Sequence, residues 1–228
     1  MLSLDASLRR EFLRCIYNLM STQLKDLQFQ LVGGQLCLDF ANTLDNRGSD
    51  NEVNLITSYE HLLHFLQQAG ALTSDEVGQL RSSAEAHPAT AQLAMREAII
   101  LRELLFHIFS AIANQKRPSH HALQELNLFL NEAGGHRVVS REGGGFTWKW
   151  SDIGKDPKAA LWPLAWRAAE LLASDELALV RECASPSCCW LFLDKSKSHS
   201  RRWCDMKVCG NRFKVRRFYE RARERSET

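Results

Sequence analysis

The sequence predicts a mainly α-helical protein with two small β-hairpins, built as a helical N-terminal body followed by a small cysteine-bearing module. Three observations lead there. Apolar residues recur in alternating steps of four and three at Ala94, Ala98, Leu101, Leu105, Ile108 and Ile112, the stripe of a packed central helix. Two glycine clusters, Gly33-Gly34 and Gly143-Gly144-Gly145, lie between short apolar runs and mark tight turns. Four cysteines close the chain as two C-x4-C pairs, Cys183 with Cys188 and Cys204 with Cys209, separated by fifteen residues.

Residues 1–28 read as an N-terminal extension with amphipathic helical spacing at Leu8, Phe12, Cys15, Ile16 and Leu19. The body is expected over residues 29–178. FQLV and QLCL flank Gly33-Gly34 and predict the first hairpin, after which Asp39 caps a helix through Phe40 and Leu44. Ser58 caps a helix over 59–69, with Leu62, Leu63 and Leu66 inward and Gly70 ending it. Ser74 precedes a second helix, which His87-Pro88 interrupts. The longest helix runs over 89–116. Pro118-Ser119 starts the next, through Leu123, Leu126 and Leu130, and Gly134-Gly135 stops it. HRVVSREGGGFTWKW predicts the second hairpin, with Trp148 and Trp150 as core. Asp156-Pro157 opens another helix, with Asp as cap and Pro at its first position. Pro163 kinks or restarts it. Ser174 then caps a final helix that delivers the chain to Cys183.

Charge is divided unevenly. Residues 195–228 hold twelve Lys/Arg against four Asp/Glu, a net +8, so the rest of this +2 chain is mildly acidic. A basic appendage on an acidic body points to a polyanionic partner. No apolar run is long enough for a membrane helix, so no membrane partner is expected. The charged first twenty residues lack the pattern of a secretory signal. A cytoplasmic location follows, where clustered thiols bind metal more often than they form disulfides. No βαβ alternation, phosphate loop, H-E-x-x-H or G-x-S-x-G is present, and no enzymatic activity is expected.

The module spans residues 179–228. Two thiolates on one turn and two on another suit a tetrahedral Zn²⁺, so one structural zinc on Cys183, Cys188, Cys204 and Cys209 is expected. Cys189 adjoins Cys188 and competes with it for the second position. Residues 190–194 read as a strand and 201–204 as its returning partner, with Trp190 and Trp203 as a small core. Cys209-Gly210 leads into a helix to about Arg225. Knuckle, hairpin and helix suggest a treble-clef-like finger, with a zinc ribbon as the alternative. Helical stepping gathers Val208, Val215, Phe218 and Tyr219 into a stripe expected to dock on the finger. Lys214, Arg217, Arg221 and Arg225 gather on a second face, and Arg212, Arg216 and Arg223 on a third. With Arg201, Arg202 and Lys207 nearby, these cations predict phosphate contacts. Asn211, Arg212 and Arg216 are placed to reach base edges if the helix enters a major groove.

The C-terminal cysteine pairs followed by CGNRFKVRRFYERARER resemble the CGNR zinc finger of bacterial proteins. GGQLCLDFANTLDNR resembles the opening of the ABATE domain that precedes that finger, so the resemblance covers about residues 29–225. It implies a bacterial-type transcription regulator, in some cases stress-induced, that binds DNA through the finger. It also implies that Cys183, Cys188, Cys204 and Cys209 hold the metal and that Asn211, Arg212, Lys214, Arg216 and Arg217 belong to the basic segment.

Two other functional readings are carried beside it. An RNA-binding protein would use the same finger and stack bases on Trp190 and Trp203. A small-molecule binder or enzyme would use a pocket at Asp39, Asn42 and Arg47, a cluster that helix capping and structural hydrogen bonds also explain. The body is expected to sense an effector or to form a homodimer, because one small finger gives limited specificity. His61 and His64 share a helix face, which would suit a second metal site, but they read as surface or half-buried histidines.

Overall fold

The computed structural model describes residues 27–226, except the side chains of 220–222 and 224–226. The amphipathic helix expected within residues 1–28 therefore lies almost wholly outside the described residues. The chain divides into two units, Met1–Gln30 and Leu31–Thr228. All the described helices and strands lie in the second unit.

Among the described residues, six helices precede the cysteine region: α1 (Leu36–Ala41), α2 (Tyr59–Gln68), α3 (Ser74–Ala86), α4 (Pro88–Ala113), α5 (His120–Gly134) and α6 (Trp162–Leu172). The last, α7 (Asn211–Ser226), follows the cysteines. The described residues also form three two-stranded antiparallel sheets: β1 (Leu44–Asp45) with β2 (Val53–Asn54), β3 (Arg137–Glu142) with β4 (Gly145–Trp150), and β5 (Val180–Glu182) with β6 (Leu191–Leu193). The architecture is mainly α, as expected.

Helix α4 is the axis of the body. Ala94, Ala98, Leu101, Leu105 and Ile108 are fully buried along it, while Ile112, the last residue of the expected stripe, is half-buried. Pro88 opens the helix, where its missing N–H costs nothing. Several caps stand where the sequence places them. Ser58 Oγ accepts from His61 N at 3.1 Å, Ser119 Oγ from Ala122 N at 3.1 Å, and Asp156 Oδ1 from Lys158 N at 2.8 Å. Asp156 opens one 3₁₀ turn, Pro157–Leu161, before Pro163 restarts the chain as α6. Thr73, not Ser74, caps α3, sharing reciprocal bonds with Glu76.

The β3–β4 hairpin turns through Gly143 and Gly144, both at positive φ. Trp150 packs on Trp162 and Trp166, but Trp148 is 54% exposed and Phe146 81%. Of the two tryptophans expected in the core, Trp150 is half-buried against α6 and Trp148 is exposed.

The first hairpin does not form. QLCL is helical, and α1 runs through LCLDFA with Cys37, Leu38, Phe40 and Ala41 all buried. A short run buried on every side carries no period, so alternation at its edge misleads. Gly33-Gly34 serves a different end. A Cβ on Gly33 would lie 2.9 Å from Asp39 Oδ1 and 3.0 Å from Asp39 N. Glycine lets the incoming chain touch α1, and Asp39 sits inside the helix instead of capping it.

Candidate metal centre and nucleic-acid interface

The finger is assembled around β6. On one edge β6 pairs with β5, in register Val180↔Leu193, Arg181↔Phe192 and Glu182↔Leu191. The helix expected after Ser174 is therefore only a 3₁₀ turn, Asp175–Leu179, before β5. Residues 201–204 form no strand, so the expected partner of β6 is replaced by β5. On its other edge β6 meets the body. Leu193 N donates to Gly33 O at 2.9 Å. Asn42, 3% exposed, stands in for a whole peptide unit: its Nδ2 donates to Leu191 O at 2.9 Å, and its Oδ1 accepts from Leu191 N at 2.8 Å.

Cys183 and Cys188 lie on the knuckle joining β5 to β6. Cys204 and Cys209 lie on the approach to α7. A single wide helical turn, Met206–Gly210, holds Cys209 and runs on into α7. Asp205 caps that turn, its carboxylate accepting from Lys207 N at 2.6 Å and Val208 N at 3.2 Å. The second cysteine pair thus sits at a helix N-terminus, as in a treble clef, and not on a second hairpin as in a ribbon. The positive end of the helix favours a thiolate there.

All four sulfurs lie within 4.8 Å of one another and are buried. Cys188 and Cys204 sulfurs are 3.5 Å apart, and Cys204 and Cys209 sulfurs 3.7 Å. A tetrahedron with Zn–S of about 2.3 Å has edges of about 3.8 Å. The quartet therefore fits one Zn²⁺. Its protons are in conflict: hydrogen bonds from Cys188 and Cys204 hold Cys183 far below the usual thiol range, and the same bonds hold the two donors above it. A dication bound to four thiolates resolves that conflict and supplies folding free energy to a module with little other core. Cys189, at φ +57°, stands outside the cluster, so Cys188 is the member of the adjacent pair that belongs to it. Among the described residues this is the one group of three or more such ligands.

Sequence reasoning missed Asp194. It is wholly buried, and its carboxylate accepts from Ser196 N at 3.0 Å, Ser196 Oγ at 2.5 Å and Arg201 N at 2.8 Å. Burial raises its pKa, but these donors outweigh that and hold it below the ordinary value. Asp194 gathers the loop between the two cysteine pairs. The signal available was an Asp followed two residues later by Ser, a local turn pattern.

The predicted basic residues separate into two groups. Arg201 is occupied by the finger itself: Nε donates to Trp203 O at 2.8 Å, Nη2 to Cys204 O, and the guanidinium stacks on Phe192. Arg202, Lys207, Asn211, Arg212, Lys214, Arg216 and Arg217 are exposed. The side chain of Arg221 lies outside the described residues. Trp190 is 7% exposed within the finger core, and Trp203 packs on Phe213 with ring centres 4.7 Å apart. The apolar stripe does not dock on the finger: Val208, Val215, Phe218 and Tyr219 are 43–69% exposed. Phe213, outside that stripe, makes the contact instead.

Asp39, Asn42 and Arg47 do not converge on a cavity. Asp39 accepts from Gly33 N at 2.7 Å, Asn42 holds β6, and Arg47 pairs with Glu103, donates to Ala41 O and lies 3.8 Å over the Phe106 ring. Asp39 alone of the three lines a groove of about 340 Å³ with Gln35, Gly70 and Arg167. His61 Nδ1 is bonded to Thr57 Oγ1 at 3.0 Å.

Two family models match the chain. The ABATE model, described as "Putative stress-induced transcription regulator", matches residues 34–175. The CGNR zinc finger model matches residues 180–222 and encloses all four cysteines. No curated protein matches the chain.

Proposed function

The chain belongs to the ABATE family and ends in a CGNR zinc finger, and from that premise we propose that it regulates transcription by binding DNA through the finger and its basic helix. One observation carries the reading. The turn that holds ligand Cys209 continues into α7, which presents Arg212, Lys214, Arg216 and Arg217 to solvent within its first two turns. Zinc shapes the turn, the turn aims the helix, and the helix delivers positive charge to phosphates. A shell of four thiolates leaves no open metal position, which supports a binding role over a catalytic one.

The body acts as sensor or dimerisation domain in this reading. The groove beside Asp39 supports the first role, and the exposed Val139, Phe146 and Trp148 on one face of the β3–β4 hairpin support the second. No described helix is long and apolar enough to cross a membrane, and four clustered thiols fit a reducing cytoplasm.

RNA is the second reading. Trp190 and Trp203 are taken up by the finger, but Phe218 and Tyr219 stand exposed beside the arginines of α7, where unstacked bases can lie on them. Competition between duplex DNA and single-stranded RNA of equal length separates the two. Preference for the duplex, lost with zinc in Cys204→Ser, is expected. Preference for the single strand replaces DNA with RNA as the partner.

A further inference from the structure

A cleft opens between the cysteine knuckle and α7. Ala184, Ser185, Pro186 and Ser187 form one wall, and Arg212, Phe213, Arg216 and Arg217 the other. Its volume is about 290 Å³, below the range of most cofactor sites and sufficient for a phosphate with part of its sugar. Among the described residues, three guanidinium groups line it and no carboxylate does. Arg212 Nη1 lies 3.5 Å from Ser187 Oγ across the cleft, so the two walls are within reach of one shared acceptor. Arg217 lies over the Phe213 ring, which is itself fixed against Trp203.

We propose that this cleft is a phosphate clamp, in which Ser187 on the knuckle and the arginines of α7 grip one backbone phosphate of the bound nucleic acid from opposite sides. The inference rests on the nucleic-acid reading above and adds a second surface to it. Guanidinium forks match the paired oxygens of a phosphodiester, and the Ser187 hydroxyl supplies a donor from the facing wall. The knuckle and the helix are held together by the metal ligands at their roots, so the clamp exists only while the quartet is assembled. A contact of this kind sets register on the duplex and carries no sequence preference.

The test places a charge in the cleft without altering the helix. Ser187→Asp sets a carboxylate where the phosphate would sit, and Ser187→Asn has the same shape without the charge. Zinc content is measured first, and one zinc per chain is expected in both. Binding to a mixed-sequence duplex is then followed across salt concentration. Ser187→Asp is expected to lose about tenfold in affinity, equally on unrelated sequences, with the salt slope reduced by about one. Ser187→Asn is expected to retain the wild-type slope. Equal losses in both variants, or none in either, overturn the clamp while leaving nucleic-acid binding by α7 intact. Absence of salt-dependent binding by the wild type overturns the nucleic-acid reading and the clamp with it.

Discussion

Replacing Asn42 with alanine removes two of the hydrogen bonds by which the body holds strand β6, leaving that from Leu193 N to Gly33 O. The side chain is 3% exposed and pairs with the N–H and C=O of one residue, Leu191, itself fully buried. That edge is shielded from solvent, so the lost amide leaves two buried groups unpaired. Each orphaned buried group costs about 1–3 kcal/mol, so the expected loss is about 2–6 kcal/mol, a large share of the roughly 5–15 kcal/mol that holds a typical domain folded. For a chain of this size the thermal midpoint should fall by about 4–24 °C. The assay is thermal unfolding of zinc-loaded protein, with zinc release to a chromophoric chelator followed in parallel. Because β6 follows directly from the Cys183–Cys188 knuckle, release should accelerate in the variant. Asn42→Asp keeps an acceptor for Leu191 N but loses the donor to Leu191 O, and should rescue little. A midpoint unchanged in Asn42→Ala would mean that this amide does not act as a strand partner.

Gly33→Ala should destabilise by about 1–3 kcal/mol through overpacking, since the added carbon meets the Asp39 and Leu38 backbone region at about 3.0 Å; denaturant midpoints check it. Burial pushes the Asp39 carboxyl up to about 6 against the pull of the Gly33 N–H. The folded state then holds a proton that the unfolded chain has released, so stability should fall as pH rises from the ordinary carboxyl range to about 6. Asp39→Asn, which still accepts from Gly33 N, should flatten that slope in unfolding curves taken across roughly pH 4 to 7. Asp194 has the opposite sign: its lowered pKa gives stability present above the unfolded value and lost as pH falls through the folded one. Asp194→Ala should loosen the loop between the cysteine pairs and weaken zinc retention in a chelator competition, whereas Cys189→Ser should leave zinc content at one per chain.

Features encoded locally were legible in the sequence. The α4 stripe, the caps at Ser58 and Ser119, the Gly143-Gly144 turn and the cysteine spacing each depend on residues close in the chain. The misreadings share a different cause. LCLDFA is surrounded by α4, α6 and β6, so its burial has no period to read. Strand β6 takes its partners from Val180–Glu182, Gly33 and Asn42, the last two about 150 residues away, and no local pattern announces such a pairing. The segment 201–204 fails to return as a strand because Asp194 and Ala184 bind its backbone at single points. Asn42 looked like a pocket residue for the same reason: an amide that completes a distant sheet edge resembles, in sequence, one that awaits a ligand. On α7 the apolar stripe was visible, but Phe213, packed on Trp203, is what anchors the helix.

In the proposed function, zinc holds a basic helix in position to bind nucleic acid. It is tested most directly by the salt dependence of duplex binding for zinc-loaded wild type and for the Arg212, Arg216 and Arg217 triple alanine variant. Log affinity is expected to fall linearly with log salt in the wild type, and the slope to drop by about three in the variant while zinc stays bound. Wild-type binding that ignores salt, or a triple variant with the wild-type slope, would contradict it.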